Sequence, residues 1–167
     1  KTATEIINNF SNLYKKKWLK MMHDKLGLLG EDSIDESLIL DLLTWMHQNK
    51  ADYTNTFCNL MNKNIMEDEI YKDKKFLNWK EKWKERLKKN NNSAEKSLKL
   101  MRSANPIVIP RNHKVEEALE AANNEDLNPL KNLLEILKKP YEDHKNIIEY
   151  QSPAKISDKK YQTFCGT

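Results

Sequence analysis

Glycine is close to absent from this chain: three residues, Gly27, Gly30 and Gly166, among 167, beside five prolines. Sandwiches, barrels and dinucleotide-binding α/β folds turn on glycine-rich loops, so this scarcity excludes them. Cysteine is scarce as well, and Cys58 and Cys165, far apart, make no disulfide framework. Arginine is the third shortage, with Arg86, Arg102 and Arg111 the only ones among 29 basic residues. A reader of nucleic acid uses arginine forks on guanine and phosphate, so no nucleic-acid partner is expected despite a net charge of +4. No apolar run approaches the roughly 18 residues of a membrane span, and no signal peptide is visible. The chain therefore reads as cytoplasmic, with no membrane partner.

Several chemical motifs are missing too. There is no G-x-G-x-x-G, P-loop, C-x-x-C or H-E-x-x-H. His23-Asp24 lacks the spacing of a kinase catalytic loop, and no D-F-G follows. His23, His47, His113 and His144 contain no pair four residues apart, the simplest helical arrangement for a metal. No catalytic residue, cofactor-binding residue or metal ligand is assigned from the sequence.

What remains is rich in Lys, Glu, Leu, Met and Ala, all helix formers, and the expected fold class is all-α. Ile6, Ile7, Phe10, Leu13, Tyr14, Trp18, Met21 and Met22 trace one stripe at steps of three and four, which Gly27 and Gly30 close. Ser33 or Asp35 starts a second helix with Leu38, Ile39, Leu42, Leu43 and Met46 on its core face. Asp52 caps a third, with Thr56, Phe57, Leu60 and Met61 inward. A fourth runs from about Lys74 to Lys89 and carries Phe76, Trp79, Trp83 and Leu87. Its lysines alternate with Glu81 and Glu85, which reads as a solvated face behind a tryptophan core.

Asn90-Asn91-Asn92 interrupts the pattern, and Asn92 with Glu95 resembles a capping box before Leu98 and Met101. Asn105-Pro106-Ile107-Val108-Ile109-Pro110 forbids helix and predicts an extended crossing. Asn112 caps the next helix (Val115, Ala118, Leu119, Ala122). Asn128-Pro129 opens another, whose Leu130, Leu133, Leu134 and Leu137 are expected to face the core. Periodicity fades after Pro140-Tyr141. The expected organisation is a helical domain over 1–145 and an extended tail over 146–167. The start at Lys1, without an initiator Met, is read as a cut through a larger protein.

Arg111-Asn112-His113 follows the crossing and opens a helix, where backbone N–H groups can hold an anion. These three are the interface candidates; the plain alternative is a helix cap with Arg111 paired to an acid.

The block Met101 to Ala118 (MRSANPIVIPRNHKVEEA), then Leu133 to Tyr141, then Tyr161-Gln162-Thr163-Phe164-Cys165-Gly166-Thr167 resemble the C-terminal end of the selenoprotein O family. Lys25-Leu26-Gly27-Leu28 and Ala51-Asp52-Tyr53-Thr54 fit it as well. The resemblance implies a parent enzyme with a kinase-like fold that transfers AMP from ATP to protein hydroxyls, with ATP flipped and a divalent cation, Mg or Mn. It implies that the nucleotide-binding groups lie upstream, in a portion absent from this chain. The partners expected are that upstream kinase-like domain and the protein substrates of the parent. The family also carries selenocysteine or cysteine near its C-terminus, proposed to pair with a cysteine of the kinase-like portion. Cys165 matches that position and is the redox candidate, although the ending here is Cys-Gly-Thr where the family form is Sec-Ser-Ser. The rival reading is a stand-alone helical interaction module without enzymatic activity.

Overall fold

Residues 2–61, 69–90, 93–144 and 147–154 are described in a computed structural model. The described residues form eight α-helices and one 3₁₀ turn, with no strand. The helices are α1 (Ala3–Leu26), α2 (Asp35–Asn49), α3 (Tyr53–Leu60), α4 (Lys74–Lys88), α5 (Ala94–Ala104), α6 (Asn112–Asn123), α7 (Asn128–Leu137) and α8 (Ile147–Gln151); the 3₁₀ turn covers Glu69–Lys72. None of the helices is long and apolar enough to cross a membrane.

Local chemistry sets most of the boundaries. Thr2 and Glu5 close a reciprocal capping box at the start of α1. At its end Gly27 turns left-handed at φ 68°, as expected. No other residue fits there: a Cβ on Gly27 would lie 2.9 Å from both Met101 Cγ and the Ser97 carbonyl oxygen on α5. Asp52 caps α3 by accepting from the Asn55 N–H, and Asp73, unforeseen, caps α4 by accepting from Lys75 and Phe76 N–H. The Asn92 capping box falls outside the described residues, and Ser93 holds the position before α5 without a side-chain cap. The expected cap at Asn112 moves by one residue, since Arg111 precedes α6 and makes no capping bond. Leu127 likewise precedes α7, leaving Asn128 and Pro129 in its first turn.

The core gathers where α1, α2, α3, α4 and α5 meet. Met22, Leu26, Leu38, Ile39, Leu42, Phe57, Cys58, Phe76, Trp79, Trp83 and Met101 are all buried in it. Trp79 and Trp83, one helical turn apart, stack with ring centroids 6.1 Å apart. Their indole N–H groups donate to the Leu38 and Leu26 carbonyls at 2.8 and 2.9 Å, which ties α4 to α2 and α1. A tryptophan brings a large apolar area and one polar atom, and here both are used.

One buried charge pair stands behind this core. Arg86, on the last turn of α4, is 2% exposed. Its Nε donates to Asp35 Oδ1 at 2.6 Å and its Nη2 to Oδ2 at 3.1 Å. Nη1 donates to Asn90 Oδ1 at 2.9 Å, and Nη2 also reaches the Leu29 and Gly30 carbonyls. Asn90 in turn accepts from Leu29 N–H and donates to the Gly27 carbonyl and Ser97 Oγ. The asparagine that breaks the helical pattern in sequence is thus a fully bonded core residue.

Three expectations change against the structure. Ile6, Ile7, Phe10, Leu13 and Tyr14 are exposed, so the α1 stripe meets the core only from Trp18 onward. In α7 only Leu133 is buried; Leu130 and Leu137 are half-buried and Leu134 is 49% exposed. The cause is that α6 and α7 pack chiefly on each other, so α7 needs only a narrow covered face. Finally, residues 147–151, read as the start of an extended tail, form α8, with Ile147 and Gln151 buried. Five residues are too few for periodicity to reveal a helix.

Two stability outcomes follow. Leu133→Ala is expected to destabilise by roughly 2–5 kcal/mol, whereas Leu134→Ala should stay within about 0.5 kcal/mol of wild type; thermal melts of the two variants check this. Arg86→Met removes the buried cation from the Asp35 carboxylate, leaving it the Asp32 N–H and the His23 ring, and should cost about 3–5 kcal/mol in chemical denaturation, while Lys84→Met on the exposed face of α4 should change little.

Candidate functional site

The crossing after α5 is held rather than loose. Ile107 N–H donates to the Pro140 carbonyl at 2.8 Å, and Ile107 and Val108 are buried. Asn105, ahead of the first proline, is 1% exposed. Its Nδ2 donates to the Lys25 and Met101 carbonyls at 2.8 and 2.9 Å, and its Oδ1 accepts from Lys25 Nζ at 3.1 Å. Lys25 Nζ also sits 4.9 Å from the Phe57 ring centroid and 5.3 Å from that of Tyr53. Burial takes water from this ammonium and lowers its pKa.

At the far end of the crossing lies Arg111. Its Nη1 and Nη2 grip Asp52 as a fork, the second bond at 3.0 Å. Nη2 also donates to Asn55 Oδ1 and to the Gln151 carbonyl, the latter at 2.9 Å. Gln151, from α8, donates through Nε2 to the Ile107 carbonyl at 3.0 Å. The Arg111 guanidinium is therefore turned inward, clamping α3, the crossing and α8 together. Of the other two interface candidates, Asn112 is exposed and His113 half-buried, both on the first turn of α6. Lys114 beside them bonds Glu149 at 2.9 Å and Glu117 at 2.7 Å, linking α6 to α8.

The segments 25–28, 51–54 and 105–112, scattered in sequence, thus converge on one network. Asp35, Asn55, Arg86, Asn90 and Gln151 share such buried bonding and were missed by sequence reasoning. An isolated polar residue in a helix has no local signal that it will be buried. Arg86 alone gave a hint, as one arginine in a helix otherwise served by lysine.

The chemistry of these groups is structural. Burial raises the Asp52 pKa, but the bond from Arg111, the Asn55 N–H and the Arg111 charge outweigh it, and the net direction is downward. Cys58 is wholly buried, and desolvation pushes its thiol pKa up to about 11, which leaves little thiolate at neutral pH. Two open recesses of about 540 and 630 Å³ flank the Arg86–Asp35 pair. Their charges are mixed in sign, and Lys89 Nζ is already 2.6 Å from Asp32. Among the described residues no three metal-ligating side chains cluster. Cys165, the redox candidate, lies outside the described residues.

The Asp52 shift carries a sign. A carboxyl held below its unfolded value stabilises the fold above that value, and the contribution vanishes as pH falls through the folded one. Wild type should therefore lose stability below about pH 4, and Asp52→Asn, weaker at neutral pH, should show a shallower dependence in that window. Acid unfolding followed by circular dichroism measures both.

Comparison with known proteins bears on what this network serves. Residues 1–138 match the family described as protein adenylyltransferase SelO. A protein nucleotidyltransferase YdiU of Pelagibacter ubique is 55% identical over 167 residues, which are all of this chain and 35% of that protein. Proteins of the same name from Alcanivorax borkumensis and Nitrosococcus oceani are 46% and 44% identical over 166 residues, 99% of this chain and 34% of each relative. The chain thus spans about a third of the length of the curated relatives it matches. With a match running from α1 through α7 and identity sustained across the whole length, the chain belongs to the SelO protein adenylyltransferase family.

Proposed function

We propose that this chain is the C-terminal helical region of an enzyme that transfers AMP from ATP to Ser, Thr or Tyr hydroxyls of proteins, and that it supports a kinase-like catalytic portion. The observation that carries this reading is the 55% identity, sustained over all 167 residues of this chain, to a relative about three times as long. A second support is the inward use of Arg111, Asp52 and Asn105, which are spent on holding helices together. ATP and its Mg or Mn belong, on this reading, to the portion outside this chain, as do the groups that contact them. Asn112 and His113 meet that portion, and Arg111 fixes the crossing from which they project. Cys165 supplies redox control: two electrons and two protons leave its thiol and a thiol of the kinase-like portion, passing to a disulfide-type oxidant, as the S–S bond forms. Cys58 is a poor partner, being buried and protonated.

The test is AMP transfer from labelled ATP by a fusion in which this chain replaces the matching third of the Pelagibacter relative. The fusion should transfer label, and this chain alone should not. A folded, ATP-binding fusion without transfer overturns the reading. Transfer should also respond to reductant in the fusion and not in its Cys165→Ser variant; equal response in both removes the redox role.

A further inference from the structure

The N-terminal two thirds of α1 is a helix with almost nothing behind it. Every residue from 2 to 17 is exposed, and the Lys15–Glu36 ion pair at 2.7 Å ties this stretch to α2. A helix of about 15 residues is marginal in water without tertiary cover. Yet its surface is far from polar. Ile6, Ile7, Phe10, Leu13 and Tyr14 are between 52% and 71% exposed. The Phe10 and Tyr14 rings lie 6.2 Å apart, and Met21 extends the same face at 41% exposure. At 100° per residue this face is rotated by about a third of a turn from the side carrying Trp18, Met22 and Leu26. It is a second apolar face, aimed away from the core that α1 already serves. Five such side chains make a contiguous patch of several hundred Å², near or above the largest that monomers usually expose.

Two facts select the occupant. The relatives carry roughly two further thirds of polypeptide beyond the part that matches this chain. The patch also falls short of the roughly 800 Å² per partner that a specific interface between separate molecules buries. A segment joined covalently needs no such area, because its effective concentration reaches the millimolar range. We propose that Ile6, Ile7, Phe10, Leu13 and Tyr14 form the seat for the remaining two thirds of the longer polypeptide. This deepens the reading above and rests on it. The seated surface is apolar along Phe10 and Tyr14 and carries carboxylates toward the exposed Lys16 and Lys17.

Amide deuterium exchange over residues 6–14 tests the seat, measured on this chain alone and on the fusion with the Pelagibacter relative. Exchange should slow by roughly tenfold or more in the fusion. Phe10→Asp with Leu13→Asp should leave the melting of this chain alone unchanged, and should lower that of the fusion and restore fast exchange. If the fusion is insoluble, the remaining segment supplied as a separate polypeptide takes its place in both measurements. Equal exchange with and without that segment overturns the proposal. So does a concentration-dependent dimer of this chain, seen by sedimentation and abolished by the double substitution, since a second copy would then occupy the face. AMP transfer assayed on the same fusion separates the two readings. Slowed exchange without transfer leaves the seat standing and removes the catalytic reading; transfer with fast exchange does the reverse.

Discussion

The buried pair of Arg86 and Asp35 is the constraint around which the helices are arranged. A guanidinium and a carboxylate taken out of water are costly unless each donor and acceptor is met. Here Asp35 takes two of the donors, Asn90 a third, and the Leu29 and Gly30 carbonyls share a fourth. Meeting that demand requires the end of α4, the start of α2 and the turn after α1 to lie within one side-chain length of each other. Asn90 carries the requirement on to α5 through Ser97. Tryptophan stacking and aliphatic packing supply the larger favourable energy, but they are non-directional. The polar node is what selects one arrangement among several that would bury the same area.

The same logic is repeated at the crossing. Two prolines take Asn105 to Pro110 out of helix, and extended backbone inside a helical protein leaves carbonyls and N–H groups without partners. Gln151 Nε2 meets that need at the Ile107 carbonyl and the Pro140 carbonyl meets it at the Ile107 N–H, while Asn105 ties the start of the crossing back to Lys25 and α5. Arg111 completes it by joining Asp52, Asn55 and the Gln151 carbonyl. Asn105, Asp52 and Arg111, which make this irregular segment rigid, lie within the stretch matched to the family.

Against this interior, the two ends of the helical array behave differently. The first turns of α1 carry apolar side chains into solvent. The α6–α7 hairpin covers Ala118 and Leu133 but leaves Leu119, Leu127 and Leu134 about half exposed. The pattern accords with a chain about a third the length of its relatives.

How much of this was legible beforehand depends on how local the cause is. Helix identity followed from apolar spacing and from the scarcity of glycine, because both act within a few residues. Gly27 announced the end of α1, Asp52 the start of α3, and the two prolines the crossing, each through a backbone restriction of its own. The all-α class and the tryptophan core of α4 were fixed at that level. Tertiary structure decided the rest. Spacing shows that a helix has an apolar face but not whether anything covers it, so the exposure of Phe10 and Leu134 was invisible. Nor does a lone polar residue reveal its partner: Arg86 finds Asp35 51 positions away, and Arg111 finds Asp52 59 away. Those pairings exist only once packing has brought the helices together, and their strength comes from the low dielectric that packing creates.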